Sequence, residues 1–543
     1  MMRHRFGMLF AFVAVSLSNA LGAELLSDHL PIEQVIDRCV QQRLDAKNLH
    51  ASYLADDNTI IRRMTLDLAG RIPTIAEAQA YVTSTEQDKR AKLVERLIAS
   101  PDFAFHFRNT LDSLLMESQG NSPNEWREYL LKAIRSNRPW DQMFREMMVG
   151  DEQDADLKPA LSYLKSRARD LDQLTNDTSM LFFGVNVSCA KCHDHPLVED
   201  WKQDHYYGMS AFFQRVYLTR NNTVAEKFSG EVKFKTTKGV DKLARIMFLS
   251  GSVIEEPTIE KTEAQKKQEN DEVNKQTQDE KAGPPPKPEF SPRAKLVELA
   301  LLPENRRFFS KNIVNRIWAR LLGRGLVHPV DQMHSANPSS HPELLEWLSR
   351  DLIAHGYDLQ RLVRGIVLSD VYSRSSVWNS ASEPPDTDLF AVAVVRPLSP
   401  RQYSLTLRIA STNPETICAV SSADWSKKRE ELEQHSQHLA NQFEAPGENF
   451  QIGVDEAMLF SNGGQIWNEC VRADGDGLVA YLKQKGDPAS QIDAAYWTVC
   501  SRLPSPEERS ICEAFLSKQS DQVIGLRLFV WSLLAAPELR FNY

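Results

Sequence analysis

The sequence predicts a mainly α, multi-helix protein: two domains joined by a disordered linker, with a few short β-strands near 213–238. Three observations lead there. Apolar residues recur at three- and four-residue spacing over most of the chain, the period of a helix with one buried face. Those stretches open on Ser, Thr or Asp caps and close on Gly. Between them, "EEPTIEKTEAQKKQENDEVNKQTQDEKAGPPPKPEFSP" (255–292) has almost no apolar residues and a Pro-rich end, too little to offset the entropy of ordering it.

In chain order, "MMRHR" is a basic start and "FGMLFAFVAVSL" an apolar run shorter than the roughly 20 residues of a membrane span. "SNALGA" then offers small residues for cleavage after Ala20 or Ala23. Residues 1–23 therefore read as a signal peptide, leaving no stable membrane span in an exported chain. A helical domain is expected over 30–214. "IEQVIDRCVQQRL" places Ile32, Val35, Ile36, Cys39 and Leu44 on one face. "TIIRRMTLDLAG" stops at Gly70, Thr74 with Glu77 forms a capping box, and "DKRAKLVERLIASPDF" is amphipathic. The span 215–254 reads as short β or irregular structure, from "RVYLTR" and "EVKFK". Helices return over 293–543. Phe309, Ile313, Ile317 and Leu321 form a stripe ended by Gly323; Ser340 with Glu343 and Ser399 with Gln402 read as capping boxes, and Asp358 as a cap. "SRLPSPEERSICEAFL" repeats the Arg-x-Pro-Ser/Thr-x-x-Glu core of "GRIPTIAEAQAYV", either an internal duplication or a common way of turning between helices.

The segment that carries chemistry is "VSCAKCHDHPL" (187–197). Two thiols three positions apart, with a histidine adjoining the second, suit covalent haem c: Cys189 and Cys192 add to the two vinyl groups and His193 becomes the axial ligand. Zinc is the alternative, with Cys189 and Cys192 joined by His193, His195 or His205. A disulfide is the third reading, in a chain of seven cysteines that export would permit to oxidise. Cys500 and Cys512 could also pair. In "EDWKQDHYYGMSAFF", Trp201, His205, Met209 and Phe212 fall on one face of a short helix. His205 or Met209 would serve as the distal haem ligand or as a further zinc ligand, or else that face is simply core. Asp194 and Asp204 could orient histidine rings.

The net charge of −9 argues against a nucleic-acid partner, which would call for a basic surface. No Gly-x-Ser-x-Gly, phosphate-cradling loop or His-Glu-x-x-His is present, so no catalytic residue is assigned.

"NDTSMLFFGVNVSCAKCHDHPLVEDWKQDHYYGMSAFFQRV" resembles the core motif of the planctomycete-type cytochrome-like domain of unknown function. "RRMTLDLAGRIPTIAEAQAYV" is similar to its amino-terminal helices. "KNIVNRIWARLLGRGLVHPVDQMHSANPSSHPELLEWLSRDLIAHGYDLQRLVRGIVLSDVYSRSS" resembles the partner domain of unknown function that follows it, as do "LFSNGGQIWN" and "LLAAPELRFNY". The resemblance implies an exported, periplasmic or extracytoplasmic bacterial protein. It carries over Cys189, Cys192, His193 and His195, with Trp201, Tyr207 and Gly208 as flanking matches. Many members carry a further cytochrome c domain for which the residues before Ile32 leave no room, so a separate redox partner protein is expected. The expected function is haem-dependent redox chemistry or electron transfer, with a zinc- or disulfide-stabilised envelope scaffold as the alternative.

Overall fold

A computed structural model describes residues 26–27, 29–116, 122–194, 198–257, 260–447, 450–461 and 463–543. The expected signal peptide lies outside them. Helices dominate, and the sheets among the described residues are pairs of short antiparallel strands.

The helical periodicities are realised as burial. Ile32–Ala46 buries Ile32, Val35, Ile36, Val40 and Leu44, one side of the helix. Asp56 caps Asp57–Ala69 by accepting the Thr59 N–H at 2.8 Å, and Gly70 ends it at φ 70°. Both bonds of the Thr74–Glu77 box form, as do those of Ser399–Gln402, and Asp358 accepts the Arg361 N–H. Each such cap contributes about 1 kcal/mol. Ser340 departs from expectation. The helix after it begins at Pro342, whose missing N–H suits the first helical position, and His341 takes the cap position while Ser340 bonds its ring Nδ1 at 3.0 Å.

Within 215–254 three hairpins form: Val216–Leu218 with Val224–Glu226, Lys233–Lys235 with Asp241–Leu243, and Ile246–Met247 with Val253–Ile254. The linker also differs from the disorder read from its composition. Glu263–Gln278 is a helix, started by a Thr262–Gln265 capping box. Its Glu, Gln and Lys are good helix formers, a propensity that apolar content does not register. It is tied down by polar bonds: the Arg220 N–H donates to the Gln276 carbonyl at 2.8 Å, and the Gln276 amide donates to the Gly283 carbonyl at 3.0 Å.

The linker separates two stretches of sequence, but the packing divides elsewhere. One apolar cluster gathers residues from Ile32 through Ala391, spanning both sides of the linker. A second runs from Leu398 to Leu539 and recruits Leu66 and Ile72 from the amino-terminal region. Around these two residues the repeated Arg-x-Pro phrase explains itself. Arg71 donates to the Ile72 carbonyl and makes a bidentate pair with Glu77, whose carboxylate also accepts the Thr74 N–H. Arg502 does the same with the Leu503 carbonyl, Glu508 and the Ser505 N–H. Each arginine then reaches an acid that follows a proline at the start of a later helix, Asp102 after Pro101 and Glu538 after Pro537. The two copies share a three-residue constellation, not only a capping box.

Candidate functional site

The Cys-Cys-His segment hangs between two fixed ends. The Leu171–Phe183 helix terminates at Gly184, φ 71°, where a Cβ would lie 2.8 Å from Met333 Sδ and 3.0 Å from Asn312 Oδ1. Only glycine permits both the left-handed turn and that approach. The chain 184–186 then pairs with 331–333: the Met333 N–H donates to the Gly184 carbonyl at 2.9 Å and the Asn186 N–H to the Asp331 carbonyl at 3.0 Å. Asn312 and Arg316 donate to the Leu181 and Met180 carbonyls, closing the helix end. At the far end Asp200 accepts from the Ser335 N–H at 2.7 Å and its hydroxyl at 3.0 Å. One loop from beyond the linker thus holds both flanks.

Between the flanks, Ser188–Lys191 forms a single tight turn. Cys189, Cys192 and His193 are exposed, and both thiols are free. The His193 ring Nδ1 lies 2.7 Å from the Asp194 carbonyl oxygen. A carbonyl only accepts, so Nδ1 carries the proton, which leaves Nε2 of the exposed ring as the nitrogen available to a ligand. The underside of the turn is held by Tyr207 and Asp194, and by Gln203, Asp172 and Tyr206, which sequence reasoning did not single out. Gln203 donates to the Lys191 and Cys192 carbonyls, and Tyr207 donates to the Lys191 carbonyl at 3.0 Å while stacking on Phe234 at 4.1 Å. Asp172 accepts from both Lys191 and Tyr206. The Asp194 carboxylate accepts the Gln203 N–H at 3.0 Å, fixing the start of the Gln203–Phe213 helix.

Two further expected ligands, Met209 and His205, are not brought to this point. Met209 is wholly buried in the first apolar cluster, so its thioether is packing, not a distal ligand for a group on the surface. His205 is half-buried against Trp201, 5.7 Å away edge-on, and its Nδ1 accepts the Lys202 N–H at 3.1 Å. That leaves the proton on Nε2, so ring and lone pair are committed to starting the helix. Burial lowers its pKa, with nearby carboxylates in part opposing, which keeps it neutral at pH 7. Asp204 pairs with Lys242 rather than with a histidine. His195 lies outside the described residues. Among the described residues no group of three or more His, Cys, Asp or Glu is placed to hold a metal ion, and Cys500 and Cys512 are unpaired.

Two free, exposed thiols and an adjoining exposed histidine with Nε2 available are the set that covalent haem requires, and the residues present fit that group. The zinc reading would need a fourth protein donor beyond these three.

A helical two-domain architecture with an exposed Cys-x-x-Cys-His turn is the class that the structure defines. Residues 35–217 match the PSCyt2 domain, described as a protein of unknown function (DUF1549). Residues 292–444 match the PSD1 domain, likewise a protein of unknown function (DUF1553), so the chain carries these two domains in this order. No curated protein matches the chain. No solved structure matches it. Among the described residues no helix is long and apolar enough to cross a membrane.

Proposed function

We propose that this is an exported protein carrying one haem c on Cys189 and Cys192, with His193 as the axial ligand, acting in electron transfer or other haem-dependent redox chemistry with a separate partner protein. The observation that carries this reading is the state of the turn: both thiols are unpaired and exposed, and the exposed His193 gives its Nδ1 proton to the Asp194 carbonyl, keeping Nε2 for a ligand. Haem c, once bound, supplies a one-electron couple. The chain's own residues hold the turn. Gln203 and Tyr207 fix its carbonyls, and the 331–335 loop clamps its flanks. Neither Met209 nor His205 fills the second axial position in this reading.

The test is expression with export in a host that has haem-attachment machinery, followed by denaturation. A visible haem band that persists after denaturation, and disappears in Cys189→Ala and Cys192→Ala, is the expected result. His193→Ala should keep covalent haem while altering the spectrum of the native protein. A colourless protein would overturn the proposal. About one zinc per chain in that protein would point to the metal-stabilised scaffold, and an oxidised Cys189–Cys192 pair to the disulfide-stabilised one.

A further inference from the structure

A cavity of about 420 Å³ opens at the seam between the two apolar clusters. Helices Asp57–Ala69, Pro101–Met116 and Arg306–Leu322 wall it on one side, Pro400–Ala410 and Trp425–Ala440 on the other. Its size falls within the roughly 300–1,000 Å³ of small-molecule sites, and a seam between packed units is a common place for one.

Its wall holds four cations, Arg320, Arg396, Arg401 and Arg429, against two carboxylates, Asp67 and Glu433. Neither carboxylate has capacity to spare. Asp67 accepts both ends of the Arg396 fork at 2.9 and 2.7 Å, the Tyr372 hydroxyl at 2.7 Å and the Asn542 amide at 3.0 Å. Glu433 sits among Arg108, Arg127, Arg429 and Arg401; behind the wall Arg429 also pairs with Asp102 at 3.0 Å and Arg401 Nη2 lies 3.6 Å from Asp112, which leaves Arg320 as the wall cation with no such pair among the described residues. Arg320 Nη2 lies 3.3 Å from His106 Nε2. His106 is buried and uncharged, its pKa driven well down by burial and then by Arg320 and Arg429, so Nε2 acts as the acceptor that aims the guanidinium. Gly70 makes room for this ring, since a Cβ there would lie 2.4 Å from His106 Nδ1. Burial pulls Arg320 down to about 10, with Asp67 opposing and Arg396 adding to the shift, so it remains charged at pH 7. Arg320 is half-buried and touches no carboxylate directly; Asp67, the carboxylate whose charge reaches it, is already held by Arg396, Tyr372 and Asn542, so the cation is incompletely compensated. An anion arriving from solvent would complete that compensation, and the arginine fork matches carboxylate, sulfate and phosphate oxygens.

We infer that this cavity binds a small hydroxylated molecule bearing an oxyanion, with Arg320 as the anchoring cation and His106 as its positioning residue. Thr110, Ser113 and Ser436 on the wall supply the polar surface that meets the hydroxyls. The site is separate from the Cys-Cys-His turn and does not depend on the haem reading.

Isothermal titration calorimetry on the full exported chain tests it, with D-glucuronate, glucose 6-sulfate and glucose 6-phosphate as probes and glucose as the neutral control. At least one anion should bind and glucose should not, and the anion preferred identifies the headgroup. Arg320→Met should weaken that binding about 10- to 100-fold, the loss of a charge-assisted contact, while leaving the unliganded thermal midpoint unchanged or higher. Arg320→Lys, which keeps the charge and loses the fork, should fall between. Three results would each overturn the inference: no anion binding at millimolar concentration, equal binding by Arg320→Met, or equal binding of glucose. A collapsed midpoint in both Arg320 variants would assign the residue to the fold and overturn it as well.

Discussion

Replacing Arg71 by methionine keeps the aliphatic stem and removes the guanidinium at the centre of the first Arg-x-Pro turn. The side chain is 4% exposed, and its partners Glu77 and Asp102 are 20% and 1% exposed. Removing one member of a buried ion network costs about 3–5 kcal/mol, because the stranded carboxylates keep their desolvation penalty. Asp102 retains the Trp425 indole N–H at 2.8 Å and Arg429 at 3.0 Å, so the lower end applies, about 3 kcal/mol. The same substitution at Arg502 strands Glu508 and Glu538 in a setting where all three side chains are about a quarter to a third exposed. Water rescreens them, and the cost should be about 1 kcal/mol. Urea unfolding of the two single variants, analysed by midpoint and slope, measures both. Equal losses, or a loss at Arg71 below about 1 kcal/mol, would refute the claim that burial rather than the shared geometry sets the energy of these turns.

Three further outcomes are expected. Burial raises the Glu77 pKa but the charge and hydrogen bonds of Arg71 and the Thr74 N–H outweigh it, bringing it down to about 2. A carboxylate depressed in the folded state contributes stability that is fully present above its ordinary pKa near 4.5 and is lost as pH falls towards 2; thermal midpoints between pH 5 and 2 should therefore fall less steeply in Arg71→Met than in the parent. Thiol labelling of the native haem-free protein should be fast at Cys189, Cys192 and Cys418, which are exposed, and slow at Cys470 and Cys500, whose burial pushes them up to about 11 and about 12; peptide mapping reads the order. Gly184→Ala should destabilise by about 1–2 kcal/mol from its left-handed backbone and the approach of Met333, and Gly184→Ala with Met333→Ala should recover the steric part alone, as read by urea midpoints.

Local rules carried far into this fold. The faces at Ile32–Leu44, the Thr74, Ser399 and Ser505 boxes and the stops at Gly70 and Gly323 are all short-range events that spacing and residue type encode. Long-range packing was not legible. Nothing local marks Leu66 and Ile72 as members of the carboxy-terminal cluster, or the 331–335 loop as the clamp on the Cys-Cys-His flanks. The linker helix was missed because low apolar content was weighed and helix propensity was not. At the site, periodicity placed Met209 and His205 on one helix face but could not say which way that face turns. It turns inward for Met209, and His205 closes the helix start. Arg320 and His106 are far apart in sequence, and no local spacing joins them.

The central claim is that Cys189 and Cys192 carry haem. Intact-mass spectrometry of the exported chain under denaturing, reducing conditions tests it most directly. The account predicts the mass of the mature chain plus one haem, with the added mass mapping to the peptide that contains Cys189, Cys192 and His193. The unmodified chain mass, with both thiols open to alkylation, would contradict it.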